Sequence, residues 1–197
     1  MSPSDRSEQP VPLRHEGDAE LANRLKRREP QAMADLYDRY GRAAYSLILR
    51  IVRNTGVAED LVQETFLRVW NRIHAFHSER GALGVWILTV ARNRAIDYVR
   101  SVDGRISLGA SEFEEQEGSG ASADFEQDIL STDRARLLRD ALAKLNTNQR
   151  EVIEMAYYEG LSQSEMAERM KQPLGTVKTW VRGALKILRA QLAQVAL

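Results

Sequence analysis

Basic side chains recur at helical spacing near the C-terminus, in the stretch PLGTVKTWVRGALKIL that covers residues 173–188. Projected as a helix at about 100° per residue, its apolar residues fall on one side. The opposite side carries cations spaced by four, four and three residues: Lys178, Arg182, Lys186 and Arg189. No acidic residue follows Lys171, so this row lacks the partners that a solvated, salt-bridged surface helix usually has. Such a row is suited to contact with nucleic-acid phosphates.

The residues before this helix predict how it is presented. LSQSEMAERM (161–170) has Ser162 at its second position and Glu165 three residues later, which is a capping-box pattern, and the short segment KQPLG follows. Two short helices joined by a tight turn, the second of them basic, are typical of a helix-turn-helix, whose second helix enters the DNA major groove. We expect the side chains of its N-terminal half to meet base edges: Thr176, Lys178, Thr179 and Arg182. Lys186 and Arg189 lie further along and are expected to contact phosphates.

Trp180 lies in the middle of this basic helix, at the border of its apolar stripe, beside Ala184 and Ile187. This position predicts that the indole packs against the preceding helices instead of reading bases. Its N–H would still be within reach of a phosphate.

A second segment, GALGVWILTVARNRAIDYVRS (81–101), also divides into two sides. Its apolar side is opposed by an aromatic ring, a hydroxyl, an amide and a guanidinium: Trp86, Thr89, Asn93 and Arg100. Arg80, Arg92 and Arg94 add positive charge nearby. Aromatic, amide and arginine groups on one stripe are suited to stacking and hydrogen bonding with unpaired bases.

Catalytic and cofactor motifs are absent from the sequence. His74 and His77 are three residues apart, but no third metal ligand lies near them, so surface or nucleic-acid contact is the better interpretation. There is no GxxxxGK loop, no HExxH and no GxSxG motif. We therefore expect no catalytic residue, no metal and no cofactor in this chain.

The elements that position these residues all read as helices, so the predicted fold class is all-α. The first begins at Pro30 and ends at Asn54-Thr55-Gly56, and it turns Met33, Leu36, Tyr37 and Tyr40 inward. The next two cover about 57–73 and 85–101. Shorter helices are expected at about 133–145, 147–159, 162–171 and 175–194.

Charge partition divides the chain. The 197 residues include no cysteine and carry no net charge, yet residues 101–130 have one arginine against eight acidic side chains, a net charge of −7. The flanking segments 1–100 and 131–197 have net charges of +3 and +4. The Gly-, Ser- and Glu-rich middle predicts a flexible acidic linker at 103–130. A disordered tail (1–17) and two small helical domains (18–102 and 131–197) complete the organisation.

The N-terminus lacks an apolar signal core, and we expect a cytoplasmic protein.

Three stretches together resemble one known family: GVAEDLVQETFLRVW, FHSERGALGVWILTVARNRAIDYVR, and LNTNQREVIEMAYYEGLSQSEMAERMKQPLGTVKTWVRGALKILR. They are similar to the two conserved halves of bacterial sigma factors of the extracytoplasmic-function (ECF) group, over roughly residues 18–101 and 131–193. The resemblance implies a sigma-2-like and a sigma-4-like domain in a transcription initiation factor. Such a factor binds core RNA polymerase and promoter DNA and is commonly held by an anti-sigma factor.

The resemblance also implies roles for particular residues. The acidic side of the second helix would dock on the clamp helices of the polymerase β′ subunit: Glu59, Asp60, Gln63 and Glu64. The polymerase β flap is the second expected contact. The next loop would line a pocket for a base flipped out of the −10 element: Phe76, His77, Ser78 and Arg80. The helix after it would hold the melted junction with Arg92, Asn93 and Arg100, and Trp86 on its polar stripe is also expected to contact −10 DNA. The basic helix would read the −35 element as duplex DNA.

Several alternatives stay open on the sequence alone. The acidic side of the second helix is equally a pattern of a solvated face, and the linker is either a strand in the polymerase channel or a solvated tether. Many family members have Ser-Arg at the place of Thr179-Trp180, so the −35 sequence does not carry over. An autonomous regulator would bind a palindromic operator as a dimer without polymerase. A nucleic-acid-processing enzyme would need a metal- or carboxylate-based site that the sequence does not show.

Overall fold

Two compact units divide the chain, Met1–Ile129 and Leu130–Leu197. The computed structural model describes residues 17–107 of the first unit and 139–193 of the second. Across both ranges the regular structure is helical, without strands, which confirms the all-α prediction. The predicted tail 1–17, apart from Gly17, and the predicted linker beyond residue 107 lie outside the described residues.

Within residues 17–107 the first unit has four helices: α1 (Asp18–Lys26), α2 (Pro30–Val52), α3 (Thr55–Arg72) and α4 (Leu83–Ser107). Short 3-10 turns at Ile73–Ala75 and Ser78–Arg80 lie in the connection from α3 to α4. Helix α2 packs against α3, α4 and α1 around one apolar core. Helix α4 continues six residues beyond its predicted end at 101, into the segment expected to be linker.

The junction between α2 and α3 differs from the prediction. Helix α2 ends at Val52 because Arg53 takes a left-handed conformation with φ of 54°, and the Arg53 N–H bonds the carbonyl of Leu49. Asn54 then opens α3, where its side-chain oxygen accepts a hydrogen bond from the Val57 N–H at 3.0 Å. Asn54 is therefore a helix start and not the expected helix stop, which fixes where the predicted acidic side of α3 begins.

Helix α1 was not predicted from periodicity, and a buried polar cluster attaches it to α2. Asp18 is only 8% exposed, and both of its carboxylate oxygens accept from the Tyr40 hydroxyl at 2.8 Å. Arg39 donates to the same carboxylate at 3.0 Å. Burial, reinforced by the hydrogen bond to Asp18, raises the pKa of the Tyr40 phenol, so the hydroxyl stays a donor. The cluster anchors the first turn of α1 on α2.

The turn between α1 and α2 holds the far end of α3. Arg28 takes a left-handed conformation with φ of 61°. Its guanidinium lies 5.0 Å from the centre of the Trp70 ring and donates to the Trp70 carbonyl oxygen at 2.6 Å. That carbonyl is one of the last four of α3, which have no partner within their own helix. Arg28 therefore caps α3 where the following loop begins.

Within the described part of the second unit lie α5 (Thr147–Glu154), α6 (Gln163–Arg169) and α7 (Leu174–Ala193). Residues 139–143, which precede them, are also helical. A π-helical stretch, Met155–Glu159, continues α5 and ends at Gly160, whose φ is 67°. Helix α7 packs against both α5 and α6. The small core between them consists of Val152, Met155, Met166, Ala167 and Val177.

No helix within these two described ranges is long and apolar enough to span a membrane.

Candidate nucleic-acid and polymerase interfaces

The four residues predicted to contact polymerase share one exposed side of α3. Glu59, Asp60, Gln63 and Glu64 are all exposed, whereas the other side of the helix is buried in the core. This placement follows from the helical period, because apolar residues recur at three- and four-residue intervals on the opposite side, at Ala58, Leu61, Val62, Phe66 and Val69. The structure thus confirms the predicted surface, and its docking role stays a prediction.

Glu64 on this surface pairs with α4. Its carboxylate oxygen Oε2 lies 2.5 Å from Nε of Arg94, thirty residues later in the chain. The Glu64 side chain is half exposed and that of Arg94 is 22% exposed. The ion pair therefore joins the acidic side of α3 to the helix that carries the predicted −10 residues.

A groove that the sequence pattern does not predict lies beside the acidic side of α3. It has a volume of about 420 Å³ and lies between α2 and α3. Its lining residues come from both helices: Tyr37, Gly41, Arg42, Tyr45, Glu59, Val62 and Gln63. Tyr37 was predicted to point inward, but its side chain is 50% exposed. The residue in the sequence that indicates this placement is Gly41. The Tyr37 ring rests on the helix at that position, where an added Cβ would lie 3.3 Å from it.

The loop predicted to hold a flipped base has an exposed rim and a buried base. His77, Ser78 and Arg80 are exposed, as a nucleic-acid contact requires. Phe76 is only 5% exposed, and its ring centre lies 5.6 Å from that of half-buried Trp86. The placement of Phe76 corrects the expectation of a pocket-lining ring. Its ring fills the core beneath the loop because it follows buried Ile73 by three residues, and so offers no free face for stacking.

Helix α4 presents the predicted polar stripe to solvent. Asn93 and Arg100 are exposed, and Arg92 is half-buried. The Arg92 guanidinium donates to the Asn93 side-chain oxygen at 3.3 Å, a contact that uses the acceptor of the amide and not its two N–H donors. The Thr89 hydroxyl donates to the Val85 carbonyl at 2.7 Å, so its proton is committed within the helix. The stripe thus offers an amide and guanidinium groups to a base or a phosphate.

The predicted helix-turn-helix is formed by α6 and α7. Ser162 and Glu165 make both hydrogen bonds of the predicted capping box, at 3.3 and 2.6 Å. Lys171 takes the left-handed conformation in the turn, with φ of 52°, and the Gln172 N–H bonds the Ala167 carbonyl at 3.0 Å. Gly175, which was expected within the turn, instead lies in the first turn of α7. The turn therefore closes without a glycine.

The basic side of α7 is exposed over its described length. Val177 and Ala184 are buried on the opposite side of the helix. The exposed residues include all four predicted cations and one threonine: Lys178, Thr179, Arg182, Lys186 and Arg189. Thr176 is half-buried beside them, and the Thr179 hydroxyl donates to the Gly175 carbonyl at 2.9 Å. The predicted DNA-facing residues thus form one surface.

Trp180 is half-buried and packs against the core of the second unit. This confirms the prediction that it holds α7 on the preceding helices.

His74 and His77 are both exposed. Within residues 17–107 and 139–193, no three His, Cys, Asp or Glu side chains are grouped so that they could hold a metal ion.

Comparison with known proteins places both units in one family. Residues 36–105 match the model of sigma-70 region 2, and residues 135–188 match that of sigma-70 region 4. The ECF RNA polymerase sigma factor SigK of Mycobacterium sp. (strain KMS) is 33% identical over 174 residues, which are 86% of this chain and 87% of the relative. SigK of Mycobacterium bovis (strain BCG / Pasteur 1173P2) is 34% identical over 174 residues, 86% and 90% of the two chains.

Among solved structures, Rhodobacter sphaeroides SigE in complex with the anti-sigma ChrR is 27% identical, with a TM-score of 0.45. The match covers 95% of this chain and 99% of that one. The identity and coverage of the SigK relatives, together with the two family models in the expected order, decide the assignment. The chain belongs to the ECF group of RNA polymerase sigma factors.

Proposed function

We propose that this chain is an alternative initiation factor that brings core RNA polymerase to promoters by reading duplex DNA at −35 and melted DNA at −10. The observation that carries the proposal is the presence, in one chain of the sigma family, of two exposed surfaces with different chemistry. Helix α7 offers a row of cations behind a tight turn, which suits the major groove of a duplex. Helix α4 and the preceding loop offer amide, guanidinium and imidazole groups, which suit unpaired bases.

At the −10 element, the exposed rim of the loop and the α4 stripe act together. Extruding a base from a duplex costs a few kcal/mol, which new contacts must offset. His77, Ser78 and Arg80 supply hydrogen bonds and charge at the rim, and Asn93 supplies an amide. Phe76 acts from beneath, since its packing on Trp86 fixes the loop and leaves the rim accessible. Trp86 and Arg92 are half-buried and position the same surface, and exposed Arg100 extends it toward phosphates.

The acidic side of α3 and its neighbouring groove form the polymerase surface. Glu59, Asp60 and Gln63 face solvent, and they complement a basic partner such as the clamp helices of the β′ subunit. The groove adds Tyr37 and Arg42 to that surface. For the second unit we propose the β flap as the partner. Chemistry belongs to the polymerase, so the chain acts in the cytoplasm as a binding factor and not as an enzyme.

Control by an anti-sigma factor is part of the same proposal. The solved relative SigE is described as a complex with the anti-sigma ChrR. A partner that covers the acidic side of α3 would block polymerase directly. The chain contains no cysteine, so any thiol-based sensing would reside in the partner.

Run-off transcription tests the proposal. Purified chain and bacterial core polymerase are mixed with a library of promoter fragments, and each component is omitted in turn. We expect selective transcripts that require both components. The chain with Asp60→Arg serves as the matched control, because it reverses one exposed charge on α3 and leaves both DNA surfaces intact. Transcripts that are equally selective without the chain would overturn the proposal.

A further inference from the structure

An apolar side chain is exposed at the start of the basic helix. Leu174 is the first residue of α7 and is 38% exposed. Its neighbours Pro173 and Gly175 are exposed as well, and a Cβ added at Gly175 would meet no atom within 4 Å. The N-terminal end of α7 therefore faces open space in the second unit.

Leu174 shares its side of the helix with cations. Lys178 and Arg182 follow it at successive four-residue intervals, so the three side chains lie above one another on one side. Leu174 does not belong to the apolar cluster around Val177, which uses the other side of α7. This exposed leucine lies in line with cations and outside that apolar cluster, and the surrounding positive charge selects a polyanion as its neighbour. Duplex DNA combines such charge with an apolar group on its base edges.

That apolar group is the C5-methyl of thymine, which alone distinguishes thymine from uracil in the major groove. Residues at the N-terminal end of a recognition helix are the ones that reach base edges. Thr176 is half-buried, which leaves Leu174 as the exposed large apolar side chain in the first turn. We propose that Leu174 is a specificity residue that contacts the methyl group of a thymine in the −35 element. This inference rests on the proposed function.

The proposal is tested by measuring how tightly holoenzyme binds duplexes that differ from one another by a single thymine methyl group. The −35 sequence is first selected from randomised duplexes by core polymerase with the wild-type chain. Each thymine of the selected element, on either strand, is then replaced in turn by deoxyuridine. At one position we expect wild-type holoenzyme to bind about fourfold more weakly, the factor that burial of one methyl-sized group gives. Holoenzyme with Leu174→Ala should show no loss at that position.

Leu185→Ala is the matched control. Leu185 is 41% exposed on the same basic side, but it lies eleven residues further, about 16 Å along the helix axis and away from the N-terminal end. Its variant should respond to deoxyuridine as the wild type does. Selection repeated with Leu174→Ala should lose the A·T preference at the responsive base pair and keep the other positions.

Three results would overturn the inference. Leu174→Ala holoenzyme could respond to deoxyuridine as the wild type does at every thymine. The selected −35 element could contain no methyl-sensitive position. Leu174→Ala could instead reduce assembly with core polymerase while the deoxyuridine response stays, which would mean that Leu174 contacts protein. All three differ from failure of the proposed function, in which wild-type chain and core select no promoter from the unmodified library.

Discussion

Replacing Trp180 separates a packing role from a DNA-contact role in α7. The indole is half-buried and packs against the core of the second unit. Truncating a fully buried tryptophan to alanine costs about 3 to 5 kcal/mol, so a half-buried ring corresponds to about 2 kcal/mol. For a unit of this size, each kcal/mol lowers the melting temperature by about 4 to 8 °C. We therefore expect Trp180→Ala to lower it by roughly 10 °C.

Thermal unfolding of the full chain, followed by far-ultraviolet circular dichroism, measures this change. Promoter binding by the holoenzyme is measured in parallel, well below the melting temperature of the variant. Trp180→Phe is the matched control, because it keeps an aromatic ring in the core and removes the indole N–H. We expect Trp180→Phe to retain both most of the stability and promoter binding. A normal melting temperature together with lost promoter binding in both variants would refute the packing role and show that the N–H contacts DNA.

The remaining predictions concern the DNA surface, the polymerase surface and the anchor of α1. Arg182→Ala should weaken −35 binding by about 1 to 3 kcal/mol and relax base choice, and Lys186→Ala should weaken binding to all sequences evenly and lower the salt slope by about one. Competition binding by the holoenzyme checks both, and equal discrimination by wild type and Arg182→Ala would count against base reading. Asp60→Arg should abolish binding to core polymerase with an unchanged melting temperature, because Asp60 is exposed; unchanged affinity in a titration would exclude that side from the interface. Tyr40→Phe should cost about 1 to 3 kcal/mol, because it leaves the buried Asp18 with one donor fewer. The pKa of Tyr40 is higher in the folded state than in the unfolded state. The protonated phenol therefore contributes fully to the free energy of unfolding below the unfolded pKa of about 10, and this contribution is lost as the pH rises above that value. Urea titrations across that range should show this alkaline loss in wild type and a smaller one in Tyr40→Phe.

Periodicity predicted the long helices well because burial of their apolar side is the main contribution to their stability. The stripe of α3 and the basic side of α7 appear in the structure as they do in the pattern. Helix α1 was not predicted because it has only nine residues and begins with Asp18, which has the sequence pattern of an ordinary surface acid. Its burial depends on Tyr40, twenty-two residues later, and no local pattern reports such a pair.

Side-chain placement in the loop and groove also depended on contacts distant in sequence. Phe76 matches the family motif for a pocket-lining ring, but its ring packs against Trp86 of α4 in the core. Tyr37 fits the inward period of α2, yet Gly41 leaves space for its ring at the surface. The Glu64–Arg94 ion pair spans thirty residues and two helices. Residue types therefore predicted the chemistry of each surface, and packing decided which members are exposed.

Promoter recognition by a factor of this kind requires the chain and core polymerase together. The most direct measurement uses a promoter duplex with 2-aminopurine, whose fluorescence rises when the base is unstacked, placed across the −10 element. Chain alone, core alone and the two combined are added in turn. We expect fluorescence to rise only with both components, and we expect Asn93→Ala to reduce the rise while −35 binding persists. Tight binding by the chain alone to a palindromic duplex, without any rise when core is added, would contradict this requirement.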